Sequence, residues 1–191
     1  MQEPLIYENS IIESKDFTDV NLQGFSFDKV IFKQCKFINT NWGNATFSDC
    51  HFFECNISLV SLNNCQFNNV VFDQCKLIGL DFFKCQKIIL SPQFTNSILH
   101  TCDFKQLSLK KILFTGSILK NVLFTATDLS EADFSHADLV GTVFEKCILI
   151  KADFRSAKNY SIDPRINTIK KARFSMPEVL KLLAYFDIDI A

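Results

Sequence analysis

Eight cysteines in 191 residues, with three histidines and 21 acidic residues, are enough for a thiolate metal centre, a set of disulfides or a nucleophile with its base. Their spacing decides among these chemistries. Cys35, Cys50, Cys55, Cys65, Cys75 and Cys85 differ in position only by multiples of five, and Cys102 and Cys147 fall on a second series with the same step. A tetrahedral site needs thiolates that converge, and a disulfide needs directed Cβ vectors as well as proximity. Thiols repeated at a constant step point in parallel. They therefore read as buried structural residues, since free Cys behaves as a small hydrophobe, and eight free thiols suit a reducing cytoplasm. His51, His100 and His136 have no ligand or nucleophile spacing, and no G-x-S-x-G, Walker or zinc-protease pattern accompanies them. The expectation is a protein without catalytic residues, metal or cofactor, and not an enzyme.

Charge is the other chemical resource. The chain as a whole carries −1, which argues against direct nucleic-acid binding or attraction to anionic lipid. Along the sequence the sign is banded. Residues 37–75 carry three acids and no base, 76–120 carry seven Lys against two acids, and 121–145 carry Asp128, Glu131, Asp133, Asp138 and Glu145 with no Lys or Arg. That last run is the candidate partner-binding acidic band. From 146 to 173 the sign reverses again. No stretch approaches the roughly 18 apolar residues of a membrane span, and "MQEPLIYENS" lacks the pattern of a secretory signal.

The elements that carry these residues follow from the step of five. From Phe17 to Phe82 every fifth residue is apolar, fourteen of fourteen, and from Leu99 to Phe154 twelve of twelve, alternating strictly between Leu and Phe. A helix repeats at three and four and a strand at two, so five belongs to a larger unit. The positions two before the centres hold mainly small or β-branched residues such as Ala132, Ala137, Ala152, Val30 and Val122, and each shares one side of an extended segment with its centre. Seven of the eight cysteines occupy that minus-two position. Each unit is then one straight side followed by a turn, and Gly24, Gly79, Gly116 and Gly141 fall at the corner, two past a centre. Four such sides would close a 20-residue coil, placing Phe104 opposite Phe114 and giving every layer the same two Phe and two Leu, whereas three sides would stack Leu on Phe along every side, so the alternation favours an even number of sides. The expected core is Phe104, Phe114, Phe124, Phe134, Phe144 and Phe154 with Leu129 and Leu139.

The segment "ATDLSEADFSHADLVGTVF" resembles the pentapeptide-repeat family, whose consensus is A(D/N)LXX. The resemblance implies an all-β fold, a right-handed four-sided (quadrilateral) β-helix over residues 1–156. Seven coils at roughly 4.8 Å each make a rod about 34 Å long. The two series are offset by two residues across 83–98, which predicts a two-residue insertion near Lys84 to Lys87 with Pro92 where no ladder donor is needed.

Residues 157–191 form a C-terminal cap, helix and tail. Ser175 and Glu178 spell a capping box, Pro177 sits in the first turn, and Val179, Leu182, Leu183 and Phe186 make a helical apolar stripe. Ile188 and Ile190 alternate with acids beyond it. This end resembles that of the branch holding quinolone-resistance and microcin-immunity proteins, which implies a homodimer through the C-terminus. Phe186, Ile188 and Ile190 are the candidate contact. The functional expectation is a protein-interaction scaffold; the alternative implied by the resemblance is a DNA mimic that binds and protects DNA gyrase or topoisomerase IV. Full mimicry of a 34 Å duplex would take about 20 negative charges, whereas residues 16–156 hold 14 acids and 13 bases.

Overall fold

The computed structural model describes residues 6–88, 90–186 and 188. Its backbone shows what the step of five is for. Lys29, Gln34, Asn39 and Asn44 have φ of 52°, 51°, 53° and 56°, and this left-handed corner recurs at five-residue intervals along both series. L-residues enter this region at a cost. Eight of the non-glycine corners are Asn, which tolerates it best, and Gly24, Gly79, Gly116 and Gly141 take it at φ of 66° to 75°.

Twenty residues on, each side meets its counterpart in parallel. Lys36–Ile38, Asn56–Ser58, Lys76–Ile78, Ile98–His100 and Ile118–Lys120 form one five-stranded face. The other faces hold Phe27, Phe47 and Phe67; Phe32, Phe52 and Phe72; and the column of Leu22 and Trp42, joined through Asn21 and Asn41. The chain is a four-sided β-solenoid of about eight turns, roughly 38 Å long at the usual strand spacing.

From Phe32 to Phe154 the interior is filled by buried side chains. Phe104, Phe114, Phe124, Phe134, Phe154, Leu129 and Leu139 are all 0% exposed, and Phe144 is 4% exposed. Rings stack along the axis, with Phe114 and Phe134 5.1 Å apart and Phe134 and Phe154 4.8 Å apart. They meet edge-on across it, as Phe104 and Phe114 do at 5.9 Å and 83°. Both geometries are favourable for aromatic pairs. The Leu/Phe alternation thus supplies two facing Phe columns and two facing Leu columns.

The offset between the series is a longer coil. Phe72 pairs with Phe94 and Leu77 with Leu99, both 22 residues apart, and the register shifts between Leu90 and Pro92. Pro92 occupies a minus-two position opposite Val70. Elsewhere the N–H of that position bonds within its own turn, as Val20 does to Phe17 O, or to a side chain, as Cys75 does to Ser97 Oγ. Proline therefore removes no ladder bond.

Two expectations about the C-terminal end are corrected. The coil does not stop at 156: Lys158 bridges Asp138, Thr168 bridges Ile148, and Arg173–Phe174 pairs with Asp153–Phe154. The periodicity was hidden because Ile162 follows its partner Phe144 by 18 residues instead of 20. The terminal helix, Glu178–Tyr185, is 3-10 in type, and the capping box does not form. Ser175 Oγ instead accepts the Ser156 N–H at 2.9 Å, and Glu178 pairs with Lys181. Of the predicted stripe, Leu182 is 8% exposed and Val179 packs against the core, while Phe186 is 48% exposed.

Candidate functional site

All eight cysteines are free and buried, and their columns have a polar task in addition to packing. On sides where no i+3 N–H closes the turn, the centre carbonyl is left inside the coil. The minus-two side chain 23 residues later reaches it: Cys50 Sγ donates to Phe27 O at 3.4 Å, Thr127 Oγ1 to Phe104 O at 2.9 Å and Thr142 Oγ1 to Leu119 O at 2.7 Å. Side chains at this position also accept. Cys55 N–H donates to Cys75 Sγ at 3.4 Å, Cys75 N–H to Ser97 Oγ at 2.9 Å and Ser97 N–H to Ser117 Oγ at 3.1 Å. One column thus satisfies two buried backbone groups per coil. Ser97 and Ser117, 1% and 0% exposed, share this role with the cysteines. Their recurrence at minus-two was the available signal. Burial pushes the Cys50 thiol up to about 11 and those of Cys85 and Cys102 up to about 12, so none of the three is a nucleophile near neutrality. Among the described residues, no three His, Cys, Asp or Glu side chains converge as a metal site would require.

The acidic run 121–145 is uncompensated in sequence but largely compensated in space. Asp128, Asp133 and Asp138 lie on successive faces, each beside residues about 20 positions away. Lys110 Nζ stands 3.4 Å from Asp128, and Lys158 Nζ 3.7 Å from Asp138, which also accepts Asn159 Nδ2 at 2.7 Å. Asp133 accepts the Ser135 N–H at 2.8 Å, and its ladder neighbour Asp153 is gripped by Arg155 at 2.7 Å. The side chains of Asp128 and Asp138 are only 21% and 23% exposed. Partial burial opposes the charge of Asp128, but the Ser130 hydrogen bonds and the Lys110 ammonium prevail and hold its carboxyl below the usual range. Glu131, at an exposed corner, and Glu145, 48% exposed in its side chain and 3.9 Å from Lys146, remain the accessible acids of the run.

His51 lies half-buried against Phe53, with ring centroids 6.3 Å apart. His136 occupies a corner at φ 59°, and His100 lies on the five-stranded face. Of the candidate dimer contact, Phe186 and Ile188 are 48% and 55% exposed, and Ile190 lies outside the described residues.

Comparison with known proteins agrees with this architecture. A family model described as "Pentapeptide repeat region" matches residues 25–88, and one described as "Pentapeptide repeats (8 copies)" matches 108–145 and 127–158. No curated protein matches the chain by sequence. Two trypsin-treated variants of QnrB1, a plasmid-mediated fluoroquinolone resistance protein, superpose with TM-scores of 0.74 and 0.67 at 16% and 18% identity. The first match covers 97% of this chain and 99% of the trypsin-treated chain, the second 99% and 100%. At that identity the likeness is one of fold.

Proposed function

Because this chain belongs to the pentapeptide-repeat family, models of which match more than half of it, we propose that it is a non-enzymatic scaffold that binds another protein through the outward positions of its coils. The observation that supports this reading is the solid interior. Stacked Phe and Leu side chains occupy the cross-section along the rod, and the cysteines are consumed by packing and backbone hydrogen bonds. The outward residues of each side are what remains to vary. Homodimerisation through Phe186 and Ile188 belongs to the same proposal.

A second reading takes a type II topoisomerase, DNA gyrase or topoisomerase IV, as the partner, with the rod standing in for duplex DNA. It is supported by the fold likeness to trypsin-treated QnrB1 over 97% of this chain. Glu131 and Glu145 are the most accessible acids of the 121–145 run, since Asp128 and Asp138 are already paired. The test is inhibition of gyrase supercoiling and relief of quinolone-stabilised cleavage by the purified protein, both expected to weaken as salt rises. Glu131→Lys with Glu145→Lys should remove the effect at an unchanged melting temperature. If the unaltered protein affects neither assay, the topoisomerase reading is wrong; a pull-down at two salt concentrations then tests the scaffold reading by itself.

A further inference from the structure

The coil that follows Phe144 is irregular, and the irregularity makes a recess. Ile162 takes the ladder place opposite Phe144 two residues early, and the chain then turns through Asp163–Asn167 before Thr168 resumes opposite Ile148. Asn167, 6% exposed, anchors that turn: Nδ2 donates to Phe144 O and Asp163 O, each at 3.0 Å, and Oδ1 accepts the Cys147 N–H at 2.8 Å. The displaced turn on one side and Tyr185 of the terminal helix on another border an open recess of about 430 Å³. This is within the range of ligand-sized sites.

Its lining is amphipathic. Val143 and Ile166, 42% and 49% exposed, form walls over the nearly buried Phe144. The polar groups differ in how far they are occupied. Tyr185 and Ser161 share a hydrogen bond between their hydroxyls, and Asp163 accepts Arg165 Nε and Nη2 at 3.0 and 2.8 Å. The Glu145 carboxylate, by contrast, accepts no hydrogen bond among the described residues, and its nearest cation is Lys146 at 3.9 Å, itself 73% exposed. An aliphatic wall ending at a carboxylate with free lone pairs complements a side chain with an apolar stem and a planar, multi-donor cationic head.

We propose that this recess receives an arginine side chain from a basic segment of the partner protein, its methylene stem on Val143 and Ile166 and its guanidinium on Glu145. The proposal rests on the scaffold reading and names the partner chemistry at one point of the rod.

The experiment is a titration of the full ¹⁵N-labelled chain with the blocked peptide acetyl-Gly-Leu-Arg-Leu-Arg-Gly-amide, with its citrulline counterpart as the uncharged control. Amide shifts are expected at Val143, Glu145, Ile166 and Tyr185, with citrulline binding weaker by about fivefold, the scale of an ion pair at a solvent edge. Glu145→Gln should weaken arginine-peptide binding to the same degree and abolish the preference over citrulline, Ile166→Ala should weaken both peptides, and the distant Asp49→Asn should change neither. Equal binding of both peptides, shifts confined to other faces, an unaltered Glu145→Gln variant or no binding at all would each overturn the proposal. A gyrase-inactive protein that still binds the peptide would remove only the topoisomerase reading, and a successful pull-down beside a failed titration would remove only the recess.

Discussion

Cys75 shows what a single residue contributes in this fold. Its Sγ donates to Phe52 O at 3.3 Å and accepts the Cys55 N–H at 3.4 Å, so replacing it with an apolar residue strands one buried acceptor and one buried donor. Cys75→Val should cost about 1–3 kcal/mol for each group left unpaired, less any relaxation. Cys75→Ser keeps both partners, as Ser97 does in the next coil, and should be the milder change in urea denaturation. Equal losses would show that the column is only packing. The raised thiols of Cys50, Cys85 and Cys102 bear on the same residues: labelling at pH 8 should be slow in the folded protein and reach all eight cysteines in denaturant.

At the scale of one side, the five-residue element depends on its left-handed corner. Leu59 occupies such a corner at φ 55° and is 63% exposed, so it bears the backbone cost without burying its side chain. Leu59→Asn should raise stability by about 0.5–1 kcal/mol, because Asn enters this region readily and little apolar burial is lost. A fall in the denaturation midpoint would mean that Leu59 is stabilised by a contact that outweighs its backbone. The same corners show how much of the element was legible. The Gly24 series and the minus-two cysteines were placed correctly from spacing alone. The turn-or-strand choice on each side was not, because it depends on whether the centre carbonyl is taken by its own turn or by a side chain 23 residues later.

For the whole molecule, two expected outcomes concern ends and charge. Exposed Phe186 and Ile188 predict self-association, since a two-fold contact buries the same apolar patch on both chains. Light scattering should find a dimer at micromolar concentration, and Phe186→Asp with Ile188→Asp should yield a folded monomer; a monomeric parent chain sinks the idea. Charge is tied to stability through pairs that link successive coils. Asp153, hydrogen-bonded by Arg155 on its own coil despite partial burial and 3.8 Å from Arg173 of the next, and Asp128, paired with Lys110 of the preceding coil, both have carboxyls held below the usual range. A lowered carboxyl contributes stability that is present above its unfolded value of about 3.9 and lost as pH falls through the folded one. Between pH 5 and pH 2, Asp153→Asn should therefore lose less stability than the parent chain; parallel pH profiles would remove Asp153 from the acid transition.

The sequence alone determined the period, an even number of sides, the alternating Leu and Phe columns and the inward cysteines, because side-chain direction within a five-residue side is set by local sterics that every unit repeats. Tertiary structure decided which charges meet. Asp138 and Lys158 belong to opposite-signed bands in sequence yet stand 3.7 Å apart, since coil winding makes residues 20 apart closer neighbours than residues five apart. It also decided where the coil ends. The 22-residue turn shifts every later register, the 18-residue step at Ile162 is made up before Thr168, and only the ladder itself shows that winding resumes through Phe174, leaving the recess at Glu145 where it was interrupted.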